Sequence, residues 1–300
     1  MPSVSVLLPV YNGGRYVKQA IASVLNQTFD DFELIVINDG STDNSGEILR
    51  EFAANDSRVI LIERENRGLI ESLNEGLKAC RGELVARMDA DDVCRPNRFE
   101  LQVAYMQAHP ECIVLGSRIQ LIDPDGLLMM EMGAVLDHED IDSDYMQGLY
   151  VVCHPTVMYR RAVAIKIGGY RKEFLHAEDV DFFLRMAEEG RLAILPNVLL
   201  EYRQHLDSIG YAQAADQAAS AIAAVTAAKQ RRGMEITHTA PPSSGDVRKQ
   251  SIGDVYRKWA WWSLAGGNVS TAQKHLINAF RVEPFAMRNW RLFLCVLRGY

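Results

Sequence analysis

No stretch of the 300 residues stays apolar for the roughly 20 positions that a membrane-crossing helix needs, so no transmembrane helix is expected. The chain opens Met1-Pro2-Ser3-Val4 and enters an apolar run at once, so no signal peptide is expected. Cysteine is sparse and scattered: Cys80, Cys94, Cys112, Cys153 and Cys295 are odd in number and form no CxxC pair. That pattern argues against structural zinc and for a reducing compartment, so a cytoplasmic location is expected. Positive charge is short, with 32 Lys and Arg against 39 Asp and Glu, but the deficit is uneven. From Arg248 onward there are nine basic residues and two acids, Asp254 and Glu283, leaving 23 basic and 37 acidic residues in the first 247. An acidic body thus carries a basic tail suited to meeting something anionic, with no nucleic-acid partner expected.

What is present is the composition of an ordinary globular protein, long enough for one large domain with a smaller appendage. Its centre of gravity is Leu84-Val85-Ala86-Arg87-Met88-Asp89-Ala90-Asp91-Asp92, a buried-type strand that runs into three carboxylates. Like charges crowded at a strand end are costly unless something positive sits there. A hard divalent cation with oxygen ligands is the usual answer, and such a cation commonly carries phosphates. Taken alone, a DxD is better read as an acidic, solvated loop.

The surrounding chain changes that weighting. Residues 4–10, 32–37, 58–62 and 83–88 read as strands, with helical spacing after the first (Ile21, Val24, Leu25), the second (Ile48, Phe52) and over 69–79. Strands alternating with helices give a mostly parallel sheet, and ligands of such sheets sit at the strand C-terminal ends. The polar loops at Tyr11-Asn12-Gly13-Gly14, Asp39-Gly40-Ser41-Thr42-Asp43 and Asp89-Ala90-Asp91-Asp92 should therefore share one edge. Turn and cap chemistry explains Gly40, Ser41 and Asp43, but not why each loop also carries an acid or an aromatic ring. Further on, 113–116, 119–122, 192–195 and 198–202 read as strands, 137–144 as a solvated acidic helix face, and Glu178-Asp179 as acids at a helix N-terminus. An alanine-rich helix (212–228), a linker (233–245) and two or three short helices (255–298) with Trp259, Trp261, Trp262 and Trp290 complete the chain. The tryptophans read first as the core of a small subdomain, and the basic excess equally well as an anionic membrane contact.

Four motifs carry a resemblance: Val6-Leu7-Leu8-Pro9-Val10-Tyr11-Asn12; Ile37-Asn38-Asp39-Gly40-Ser41-Thr42-Asp43; Asn66-Arg67-Gly68 with Asn74, Ala79 and Gly82; and Asp89-Ala90-Asp91-Asp92. In this order and spacing, over about the first 205 residues, the chain resembles family 2 glycosyltransferases. The resemblance implies an α/β, GT-A (Rossmann-like) fold over 1–210, with a nucleotide-binding half (about 1–110) and an acceptor half (about 111–210). Residues 211–245 follow as helix and linker, and 246–300 as a basic, Trp-rich helical extension. It also implies inverting transfer from a nucleotide-sugar, a UDP-sugar by preference, with Mn2+ or Mg2+. Asp179 would be the catalytic base. Pro9, Tyr11, Asp39, Arg67, Gly68 and Asp89 would bind the donor, with Tyr11 stacking on the base and Asp39 accepting from its N–H. Asp91 and His205 would hold the metal, and His154 and Glu178 would lie on the acceptor side. Processive synthases of the family carry membrane helices and a QxxRW motif, which this sequence lacks. A single addition to a saccharide or lipid-linked acceptor in surface-glycan synthesis is therefore expected, possible at the inner face of the plasma membrane. A nucleotidyltransferase would be expected to show a richer Gly- and Lys/Arg-bearing loop after the first strand than Tyr11-Asn12-Gly13-Gly14-Arg15. A non-catalytic sugar-nucleotide module would be expected to have lost an acid among Asp89, Asp91 and Asp179.

Overall fold

The computed structural model describes residues 1–206, 214–236 and 251–299. Strand β1 (Val4–Val10) is buried at every position, as a strand covered on both faces must be. It leads to α1 (Val17–Leu25), β2 (Phe32–Asp39), α2 (Ser45–Asn55), β3 (Val59–Arg64), α3 (Leu69–Ala79) and β4 (Leu84–Arg87). The short β5 (Val93–Cys94) and α4 (Arg98–Ala108) follow, then β6 (Cys112–Ile122), β7 (Leu128–Met132), α5 (His138–Met146), β8 (Met158–Arg160) and α6 (Arg161–Lys166). Helix α7 (Glu178–Met186) and the long β9 (Arg191–Arg203) close the main body, and α8 (Ala214–Arg231), α9 (Ile252–Ala265), α10 (Val269–Val282) and α11 (Met287–Arg298) come last.

The strands form one sheet in the order β3-β2-β1-β4-β8-β6-β9-β5, with β7 on β6. The expected parallel sheet holds from β3 to β4. Beyond β4 the sheet is mixed: β8 is antiparallel to β4 and β6, β9 is parallel to β6, and β5 is antiparallel to β9. Alternation along β1 sorts the core into two layers. Val4, Val6, Leu8 and Val10 pack with α1, α2 and α4, whereas Leu7 packs with α3, α7 and α8. Chain order reverses on either side of β1, so the crevice outside the C-terminal ends of β1, β2 and β4 is the place where such a sheet takes a ligand.

Two pairs of expected strands are single strands. Residues 113–122 lie within β6, and the Pro196-Asn197 break is absorbed inside β9 as an irregularity, where the partner steps from Leu195 to Val198. Proline has no N–H to give to a ladder, so the strand bulges there instead of ending. The acidic segment at 137–144 is helix α5, started by Asp137, whose side chain accepts from Asp140 N at 3.1 Å. The expected linker falls largely on residues 237–250, outside the described residues. The C-terminal helices pack against the main body: Trp259 is buried in the same core layer as β1, and Asn268 Nδ2 donates to Met129 O on β7 at 2.8 Å.

Candidate active site

A cleft of about 530 Å³ opens at the switch point, lined by Pro9, Tyr11, Asp39, Gly68, Asp89, Asp91 and His205 among others. The loops that line it are stitched to each other. Asn12, in the left-handed region, donates its N–H to Ser41 Oγ (3.0 Å) and accepts from Thr42 N (2.8 Å), while Gly14 N donates to Asp43 Oδ2 (2.9 Å). Asp39, almost fully buried, accepts from Arg67 N (2.9 Å) and Gly68 N (2.8 Å) and pairs with Arg64 at 3.0 Å. It therefore fixes the third loop, where Gly68 holds φ +89 with open space where a Cβ would stand. Only glycine takes that conformation without strain, and the opening admits a ligand close to the backbone. Arg67 does not line the cleft: its backbone N–H holds Asp39, and its side chain pairs with Glu65 in solvent. Tyr11 is exposed at the rim, free to cover a planar ring.

The carboxylates of Asp89, Asp91 and Asp92 offer oxygens that all lie within 4.8 Å of one another. What brings a histidine to them is the pairing of β5 with the end of β9, Val93 opposite Glu201. Arg203 then donates its N–H to Asp92 Oδ1 (2.8 Å) and its Nε to Asp91 O (2.7 Å), and His205 Nε2 comes 2.9 Å from Asp91 Oδ2. Burial pushes the Asp92 carboxyl well above the usual range, and Asp91 and Asp89 add to the shift. Its Oδ2 is buried without a hydrogen-bond partner.

Beneath this cluster lies a residue that motif reading passes over. Arg87 is 3% exposed and ion-paired with Asp89. Burial opposes its charge, but Asp89 more than offsets that and keeps the guanidinium ionised. The same charge reaches the start of α7 and opposes the effect of burial there. Burial raises the Asp179 carboxyl, against the Val180 N–H that it accepts at 2.8 Å and against Arg87. Glu178, nearly buried, is raised to about 7 by burial and by Asp179 beside it. Asp89 also adds to the shift at Asp179, so base candidate and acid cluster share one electrostatic site, although neither Glu178 nor Asp179 lines the donor cleft.

His154 is buried away from that cleft. Its Nε2 lies 3.0 Å from Tyr170 Oη, its ring packs on Phe183, and burial and Arg87 together hold it neutral. Tyr170 stacks on Phe182 at 4.3 Å, and its backbone exchanges two 2.8 Å hydrogen bonds with Asn74 of α3. His154 thus braces the wall behind Glu178 and Asp179. Tyr16 was also missed: it lines the cleft, the Arg203 guanidinium lies 4.6 Å over its ring, and His205 is 5.7 Å away. Nothing local in the sequence marks Tyr16 as part of the site, because apart from the neighbouring Arg15 its partners Arg203 and His205 come from the far end of β9.

The family description "Glycosyl transferase family 2" matches residues 5–168. An uncharacterized glycosyltransferase of Haemophilus influenzae is 33% identical over 213 residues, 68% of this chain and 66% of that protein. The O-antigen biosynthesis glycosyltransferase WbnJ of Escherichia coli is 34% identical over 206 residues, 67% of this chain and 80% of that one. Among solved structures, S. aureus TarS 1-349 in complex with UDP superposes with TM-score 0.59 at 17% identity, over 99% of this chain and 92% of that one. The mannosyltransferase PcManGT from Pyrobaculum calidifontis, in complex with GDP-Man and Mn2+, does so with TM-score 0.59 at 18% identity, over 100% of this chain and 81% of that one. With the cleft at the switch point, the acid cluster and the matched two-thirds of the chain all in agreement, this protein belongs to glycosyl transferase family 2.

Proposed function

We propose that this chain moves a single hexose-type sugar, with inversion, from a nucleoside-diphosphate sugar to a hydroxyl of a saccharide or lipid-linked acceptor in surface-glycan synthesis. UDP is the preferred nucleotide. The observation that carries the reading is the meeting of Asp91 and His205 in a cleft that Tyr11, Pro9 and Asp39 also line. The named roles of WbnJ in O-antigen biosynthesis and the nucleotides held by TarS and PcManGT support it.

The residues fit a divalent metal. Carboxylate oxygens with one imidazole suit Mn2+ or Mg2+, and crowded acids with an unpartnered buried oxygen at Asp92 are what a cation would relieve. Asp91 and His205 would hold the ion, with Asp89 beside them; it would supply positive charge facing a departing diphosphate. The rest of the chemistry belongs to the chain. Tyr11 covers the base, and Asp39 fixes the loop that approaches the diphosphate through Gly68 while keeping acceptor capacity on Oδ2 for a base N–H. Asp179 takes the proton from the acceptor hydroxyl as its oxygen forms the new bond to the anomeric carbon, from the face opposite the breaking C–O bond to the nucleoside diphosphate. Glu178 orients the acceptor beside it. Arg87 places positive charge beneath both carboxylates and favours their ionised forms against the effect of burial.

Calorimetric titration with UDP, with and without Mn2+, on wild type and Asp91→Ala, tests the reading. Metal-dependent binding that Asp91→Ala weakens at least tenfold is expected. Equal binding with and without Mn2+ would remove Asp91 from the metal, and no UDP binding would remove the nucleotide. A donor turned over into long polymer would overturn single addition.

A further inference from the structure

Helix α11 is apolar on two opposite faces, and the chain uses one of them. Leu292 and Val296 are buried in a cluster with Ala260, Leu264, Ala272 and Leu276 of α9 and α10. On the other side Met287, Trp290, Leu294 and Leu297 are exposed, from 53% to 75%, and Phe285 just before the helix is 93% exposed. At 100° per residue the four helix residues fall on one arc of about 80°. Arg291 and Arg298 stand along one edge of that arc, and both are exposed. Such a helix presents an apolar stripe bordered by cations to solvent, the arrangement of helices that lie in a membrane interface.

The charge around the stripe selects the occupant. Both acids among the described residues of the extension are already engaged: Asp254 by Arg257 and Arg288, each at 2.7 Å, and Glu283 by Arg257 at 2.9 Å. Arg281, Arg291 and Arg298 have no carboxylate partner among the described residues. Beside the stripe a crevice of about 430 Å³ is walled by Trp261 and Trp262 and rimmed by Lys258, Arg288 and Arg291. Indole rings favour the headgroup level of a bilayer, and arginines at that depth meet lipid phosphates. A second copy of this chain would satisfy the stripe but would bring like-charged arginines together, whereas an anionic bilayer satisfies both.

We infer that the stripe Met287, Trp290, Leu294 and Leu297, with Arg291 and Arg298, docks this protein on an anionic lipid bilayer. The inference deepens the reading of a lipid-held acceptor and rests on it for its sense. Vesicle binding needs no donor or acceptor, so the two readings can fail separately. The test is flotation of the full chain with vesicles of phosphatidylcholine alone or mixed with phosphatidylglycerol. Binding to the mixed vesicles only is expected, reduced by high salt. Leu294→Glu should abolish it, and Arg291→Gln with Arg298→Gln should weaken it about five-fold per arginine. Calorimetric UDP binding should be the same in these variants as in wild type, which shows that they are folded. Absence of wild-type flotation with the mixed vesicles overturns the inference, as does flotation that Leu294→Glu leaves intact. A concentration-dependent dimer that Leu294→Glu dissolves, with no flotation, would instead assign the stripe to a second copy.

Discussion

Arg87 sits where the chain gathers negative charge, paired with Asp89 and within electrostatic reach of Glu178 and Asp179. A general base works only ionised, so the rate should rise with pH through the titration of the Glu178–Asp179 pair. With Glu178 raised to about 7, the acid limb of kcat should lie near neutrality rather than in the ordinary carboxylate range. The two neighbours push it in opposite directions. Glu178→Gln removes a like charge and should move the limb to lower pH; Arg87→Met removes a stabilising cation and should move it to higher pH. Asp179→Asn should lower kcat about 10³-fold and leave UDP affinity unchanged. A pH profile of kcat for the three variants checks this, and a limb that Glu178→Gln leaves in place would separate the pair from the chemistry. The acids were legible as residues because carboxylates at a strand end need a cause. Arg87 was not, since inside Leu84-Val85-Ala86-Arg87-Met88 nothing local distinguishes a buried counter-charge from a side chain that reaches solvent.

Besides the apolar contacts around Trp259, the extension is fastened to the main body at a buried acid. Asp123, fully buried at the end of β6, is ion-paired with Lys274 of α10, and His275 Nε2 lies 3.1 Å away. Its other oxygen accepts from Asp125 N and Leu127 N, each at 2.9 Å. Burial alone would raise this carboxyl, but His275, Lys274 and the Leu127 N–H overturn that and hold it far below the usual range. A carboxyl depressed on folding stabilises the fold above its unfolded value, about 3.9, and the contribution is lost as pH falls through the folded value. Docking of α10 should therefore be as firm at pH 5 as at pH 7. Asp123→Asn should cost about 1–3 kcal/mol and speed hydrogen exchange in α10, because it removes the buried charge facing Lys274 and His275 and leaves Lys274 only its solvent-side pair with Asp125. Unchanged melting and unchanged exchange would show that the apolar contacts around Trp259 suffice. Element identity was readable over β1 to β4, where apolar runs and Gly- and Asp-rich loops alternate. It was less so in β6 and β9, whose continuity depends on pairing with each other around Pro196 and not on local pattern.

At the scale of the whole molecule, the cleft is built from two distant parts of the chain. Residues 9–16, 39, 66–72 and 89–91 supply most of its wall, and β9 delivers His205 and Arg203 across more than a hundred positions. Arg203 Nη2 also donates to Gln19 Oε1 of α1 at 2.8 Å, a contact that spans 184 positions. Such closure follows from the mixed half of the sheet, which the alternation of strands and helices could not reveal, so His205 could be placed from resemblance alone and Tyr16 not at all. It also has a thermodynamic consequence. A ligand that binds both parts stabilises them together, by about 2.7 kcal/mol at a concentration 100 times its Kd. For a chain of this size that corresponds to a rise in Tm of roughly 5 °C. UDP with Mn2+ should therefore raise Tm by about that much, and UDP or Mn2+ alone by far less. In His205→Ala the combined rise should fall toward that of UDP alone, because β9 no longer reaches the bound pair. If wild type and His205→Ala shift equally, the histidine pairs with Asp91 for the fold only, and the metal, if held, is held by the N-terminal loops without help from the end of β9.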